Sequence, residues 1–170
     1  NPQGAVADRS YLAAAIALAR RFDFMLFADE CYSEIYSDTP PPGALETALA
    51  DNGSFANVVT FNSLSKRSGL PGLRSGFVAG DPAFIAAFAR FRNVACPQVP
   101  LPIQHVSVRA WSDEEHVEQG RALYRQNFDP AFTSFFEREA RPLLAAAGAA
   151  PLAWFQTEYA ENTFPALPVR

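Results

Sequence analysis

Apolar and polar positions along the chain alternate between two periods. Residues 9–21 repeat on the helical one: Leu12, Ala15, Ile16 and Ala19 recur at i, i+3, i+4 and i+7 behind a capping Asp8, predicting a helix to about Arg21. Phe24 to Ala28 is a continuous apolar run. It predicts a short strand buried on both faces, as in a parallel sheet, ending at Asp29-Glu30. A proline-rich loop follows over Ser37–Gly43, then a short helix over Leu45–Ala50 that stops at Asp51-Asn52-Gly53. Val58–Phe61 predicts a second strand, running directly into Ser63-Leu64-Ser65-Lys66, and Gly76–Gly80 a third. Asp81 as cap and Pro82 at the first helical position open a helix to about Asn93. Pro97, Pro100 and Pro102 mark a loop before a helix to about Trp111. Ser112-Asp113-Glu114-Glu115 opens a long helical region to about Gly148, with Pro130 and Pro142 expected to break or kink it. Residues 149–170 follow neither period. Helices alternating with short buried strands predict an α/β layered fold.

Composition narrows the function classes. The 170 residues are 49% hydrophobic and 19% charged, an ordinary globular balance for one domain or one and a part. A net charge of −4 leaves no basic face, so nucleic acid is not an expected partner. No apolar run approaches the ~18 residues that span a membrane, and no signal peptide is expected. Cys31 and Cys96 lack CxxC spacing and read as reduced thiols rather than a disulfide or metal site. His105 and His116 read as structural or surface residues. The opening Asn1-Pro2-Gln3-Gly4 is a turn without an initiator Met, and the chain is expected to be internal to a longer protein.

One composition fact redirects the reading. Of the 14 Lys and Arg residues a single one, Lys66, is lysine. Arginine is always charged and a poor nucleophile, whereas lysine can lose its proton and attack a carbonyl to form an imine. In open α/β sheets ligands sit outside the carboxyl ends of strands. Here one strand ends in Asp29 with Tyr32 three residues on, another in Ser63, Ser65 and Lys66, and Arg74 precedes the third. Singly, Asp29 reads as a cap or loop residue, Tyr32 as packing, Ser63 and Ser65 as turn formers and Arg74 as a salt-bridge partner. Gly69 and Gly72 mark tight turns and form neither a GxxxxGK nor a GxGxxG loop. Together they make the inventory that pyridoxal phosphate requires. An amine forms the imine and moves the α-proton, a buried carboxylate keeps the pyridine nitrogen protonated, a phenol donates to the ring oxygen, and hydroxyls with a guanidinium fork grip the phosphate.

NPQG at 1–4, FADECYSEIY at 27–36 and SLSKRSGLPGLRSGFVAGD at 63–81 give the chain its resemblance to the class I/II (fold type I) pyridoxal-phosphate aminotransferases. The resemblance covers residues 1 to about 148. It implies a three-layer α/β/α large domain with a mostly parallel sheet over 1–112, a connecting helical region over 113–148 leading into the small domain, and a partial or aberrant small-domain tail over 149–170. It implies Lys66 as the imine lysine, Asp29 on the pyridine nitrogen and Tyr32 on the ring oxygen. Ser63 and Arg74 would bind the phosphate, with Ser65 a further candidate. Asn1 would contact the ring oxygen and the substrate carboxylate. It also implies amino-acid and keto-acid substrates, a homodimeric full-length parent and a cytoplasmic location. SKRSGLPGLRSGFVAGD and DEEHVEQGRALYRQNFD (113–129) look most like bacterial succinyldiaminopimelate aminotransferases, implying a glutamate donor and lysine or diaminopimelate biosynthesis. Family members are about twice this long. Their phosphate loop, the aromatic that stacks on the cofactor and the arginine for the substrate α-carboxylate have no match here, so these 170 residues alone are expected to be inactive. The same residues also serve β-eliminating lyases and the cofactor-sensing domains of certain transcriptional regulators.

Overall fold

The computed structural model describes residues 6–36, 38–96 and 98–128, with isolated positions 138, 139, 142 and 146. Expectations for Asn1, for the prolines at 97 and 130, and for the tail 149–170 lie outside the described residues.

Among the described residues ten short elements follow one another: α1 (Arg9–Phe22), β1 (Leu26–Asp29), α2 (Ala44–Asn52), β2 (Val58–Ser63), α3 (Leu64–Arg67), a 3-10 turn (Pro71–Leu73), β3 (Gly76–Gly80), α4 (Pro82–Ala95), α5 (Leu101–Trp111) and α6 (Glu115–Phe128). The caps read from sequence form. Asp8 accepts from the Tyr11 N–H at 2.7 Å. Asp81 accepts from Ala83 and Phe84 N–H at 2.8 and 3.0 Å. Its other oxygen takes the Asn57 N–H at 2.8 Å, so one carboxylate ties the start of α4 to the start of β2. These backbone donors hold its carboxyl below the ordinary aspartate range.

The sheet has the order β1-β2-β3. β1 and β2 pair in parallel across the α2 crossover, with Asp29 opposite Phe61. β3 runs antiparallel to β2, because the 12 residues 64–75 fold back through α3 and the 3-10 turn instead of crossing over. α1 and α2 cover one face, where Ile16, Ala44, Ala48 and Val58 are fully buried with Leu26 and Ala28 against them. On the other face Phe84 of α4 meets Phe27, and Phe27 meets Phe61, both edge-on at 5.3 and 5.5 Å. The helix–sheet–helix layering is the one the alternation predicts.

Three expectations need correction. β1 begins two residues later than the apolar run. It is also not buried on both faces. Phe27 is 55% exposed, because aromatic edges border it where closely packed aliphatic side chains cover Leu26 and Ala28. β2 runs two residues past the expected end at Phe61, to Ser63, and Leu64–Arg67 then forms a helical turn. Leu64 and Arg67, three apart on that turn, are both buried, which leaves Lys66 outward.

β2 and β3 meet so closely that Gly80 cannot carry a side chain. Its φ is +140°, and a Cβ there would lie 2.1 Å from the Val58 carbonyl oxygen. Gly80→Ala is expected to separate the strands and lower stability by about 1–3 kcal/mol, the range for a strained backbone position, read from a urea unfolding midpoint. An unchanged midpoint would show that the strand ends relax freely. Among the described residues no helix is long and apolar enough to cross a membrane.

Candidate active site

Asp29 and Glu30 end β1 side by side, and the fold gives them different work. Glu30 reaches across 14 residues and accepts the Ala44 N–H at 2.7 Å, capping α2, whose own cap Gly43 has no side chain. Asp29 points to the opposite face. Its Oδ1 accepts from the Cys31 N–H at 3.1 Å and so fixes the turn that presents Tyr32. That turn closes with Ser33 N–H to Glu30 O at 3.0 Å and Ile35 N–H to Tyr32 O at 2.9 Å. Asn62 joins it to β2 through Ser33 Oγ at 3.3 Å. Burial, with Asp29 adding to it, pushes the Cys31 thiol up to about 12.

The strand register then brings the candidate groups together. Asp29 lies opposite Phe61, so Ser63, two residues on, shares its face of the sheet. Ser63 caps α3. Its hydroxyl accepts the Ser65 N–H at 3.1 Å, lies 2.9 Å from Ser65 Oγ and sits 3.3 Å from the Ser75 carbonyl. Lys66 Nζ stands 5.2 Å from the centre of the Tyr32 ring. Asp29, Tyr32, Ser63, Ser65 and Lys66 thus cluster at the carboxyl ends of the two parallel strands. Arg74 closes the same segment. It holds a left-handed φ of +51°, a costly conformation for a side-chain-bearing residue, and its guanidinium donates to the Pro71 carbonyl at 3.1 Å. Among the described residues neither Lys66 nor Arg74 has a carboxylate within ion-pair distance. Asp29 is exposed, not buried as the inventory requires, because the described residues leave this end of the sheet face open.

Sequence reading missed the charged layer behind Lys66. Arg67 is buried, and its guanidinium donates to the Ala110 carbonyl at 2.9 Å and to Glu114. It also lies 3.7 Å from Glu34 and 5.0 Å from the centre of the Trp111 ring. Arg121 donates to the Glu34 carboxylate at 3.0 Å and to the Glu34 carbonyl at 3.1 Å, beneath Tyr36. His116, read as structural, bonds Ser68 Oγ at 2.9 Å. The only signal in sequence was the acid-rich opening of α6, which reads equally as dipole complement.

The chain as a whole resembles known proteins. The family model "Aminotransferase class I and II" matches residues 1–144. The chain belongs to the class I and II aminotransferases. These aminotransferases are pyridoxal-phosphate dependent. The chain is 35% identical to the 4-dedimethylamino-4-oxo-anhydrotetracycline transaminase of Streptomyces rimosus, over 95% of the chain and 41% of that protein. Among solved aminotransferases it is similar to AspB of Helicobacter pylori, at 45% identity and a TM-score of 0.70, covering 75% of this chain and 34% of that one. It is also similar to a probable N-succinyldiaminopimelate aminotransferase of Thermus thermophilus, at 31% identity and a TM-score of 0.66, covering 74% and 33%. The chain therefore spans less than half the length of these aminotransferases.

The side chains present fit the family's cofactor by their chemistry. They offer one nucleophilic amine, one carboxylate, one phenol, two adjacent hydroxyls and one guanidinium that, among the described residues, has no carboxylate within ion-pair distance.

Proposed function

We propose that the chain forms part of an aminotransferase that moves an amino group from glutamate to a keto acid, N-succinyl-2-amino-6-ketopimelate, in lysine or diaminopimelate biosynthesis. The observation that carries the reading is the placement of the single lysine, 5.2 Å over the Tyr32 ring at the carboxyl end of β2. The likeness to the Thermus thermophilus structure and the 113–129 segment favour this acceptor.

Each residue has a role. Lys66 Nζ would hold the cofactor covalently and act as the base that takes the substrate α-proton. Asp29 would keep a proton on the ring nitrogen, and the Tyr32 hydroxyl would donate to the ring oxygen. Ser63, Ser65 and Arg74 would bind the phosphate, and Asn1 the ring oxygen and substrate carboxylate. When bound, pyridoxal phosphate supplies an electron sink for the charge left on the α-carbon. A homodimer carrying the family's remaining segments would complete the site, and these 170 residues alone are expected to give no turnover.

The test is made on a polypeptide that joins this chain to those segments. Glutamate and N-succinyl-2-amino-6-ketopimelate should yield 2-oxoglutarate and the aminated acceptor. Formation of 2-oxoglutarate with other keto acids but not with this one would overturn the acceptor and keep the transamination. No 2-oxoglutarate with any acceptor would overturn both. Arg74 offers a narrower check. Arg74→Ala should weaken pyridoxal phosphate about 10- to 100-fold, the loss of one charge-assisted contact of about 1.5–3 kcal/mol, while leaving unphosphorylated pyridoxal unchanged in a fluorescence titration. An equal loss for both would assign Arg74 to the loop's shape instead.

A further inference from the structure

Tyr32 and Lys66 meet across two chain segments that are otherwise joined by a second contact directly behind the first. Glu34 is two residues past Tyr32, and Arg67 is one past Lys66. Their side chains pair at 3.7 Å on the buried side of the same junction. Arg67 has little freedom, being tied to the Ala110 carbonyl, Glu114 and the Trp111 ring. Arg121 of α6 holds Glu34 through both its carboxylate and its carbonyl. α3 is only four residues long and cannot set its own orientation by helical hydrogen bonding. Its direction is fixed by Leu64 at one end, with no exposed surface, and by Arg67 at the other.

We propose that Glu34, Arg67 and Arg121 form a positioning clamp that holds the Lys66 amine over the Tyr32 ring. None of the three need touch a substrate. They act through the two residues that do, by fixing the α3 turn against the 30–36 turn and both against α6. Charge is nearly matched, since two guanidiniums face the Glu34, Glu114 and Glu118 carboxylates. Arginine suits Arg67 because its planar fork makes several directed contacts at once where an ammonium is a point charge.

The inference rests on the proposed role of Lys66, and its test separates the two. The chain is incubated with pyridoxal phosphate, reduced with borohydride and digested, and the rate of adduct formation at Lys66 is compared with that at the Asn1 α-amino group by mass spectrometry. Wild-type chain without a Lys66 adduct would overturn the role of Lys66 itself. With wild-type capture established, Glu34→Gln and Arg67→Gln should each lower the Lys66 rate by roughly 10- to 100-fold, because misplacement by about 1 Å can cost that much. The Asn1 rate should stay unchanged. Arg67→Lys should recover part of the loss, and Glu34→Gln with Arg67→Gln together should lose little more than either alone. Unchanged selectivity for Lys66 in folded Glu34→Gln, with only a lower melting temperature, would overturn the clamp. So would failure of Glu34→Gln to fold, since the pair would then serve the fold and not the amine.

Discussion

Lys66→Ala is expected to abolish the borohydride-trapped adduct at position 66, and Lys66→Arg is expected to do the same. The pairing of these two variants separates chemistry from charge. Arginine keeps the cation above the Tyr32 ring, where the contact distance is 5.2 Å, yet cannot form an imine. Within these 170 residues no other lysine exists to substitute. In a polypeptide carrying the family's other segments, either variant should lower transamination by at least about 10²–10⁴-fold, the usual contribution of a positioned base alone. Adduct at position 66 gone in Ala but activity retained in Arg would mean that the cation, not the nucleophile, is what the site uses.

Asp29→Asn should lower kcat by about 10²–10³-fold, the cost of removing one group aimed at developing charge, while leaving the adduct at Lys66 in place. The neighbouring acid is the control. Glu30→Gln keeps a weaker acceptor for the Ala44 N–H and should cost at most about 1 kcal/mol of stability, with kcat nearly unchanged. The two measurements, a rate and a melting curve, should move for different residues. If Glu30→Gln lowered kcat as much as Asp29→Asn, the acid that serves the ring would be misassigned. The two carboxylates are adjacent in the chain and chemically alike. Their separation comes from the pleat of β1, which turns Asp29 to the Phe61 and Ser63 face and leaves Glu30 beside α2.

Much of the fold was legible along the chain. Periodicity located α1, α2, α4 and α5 to within a few residues, and Asp8 and Asp81 cap as read, because caps and amphipathic stripes are local properties. The apolar run at 24–28 misled on burial. A strand bordered by aromatic edges and one covered by aliphatic side chains look the same in a window of five residues. The candidate cluster was legible because its members lie in three short motifs at strand ends, and Lys66 stood out through composition alone. The positioning of Lys66 was not. Glu34 and Arg121 are 87 residues apart in sequence, and no pattern along the chain couples them.

What the sequence determined by itself is therefore the set of reactive side chains, their order and the family to which the chain belongs. Nucleophilicity, acidity and hydrogen-bonding capacity are properties of residue types and survive any arrangement. Only the tertiary structure decided that Glu30 turns away to cap α2, that the lysine rides on a helical turn four residues long, and that a buried guanidinium anchors that turn. Those outcomes depend on strand register and on contacts between segments far apart in the chain, where burial and charge pairing are settled jointly by the whole fold.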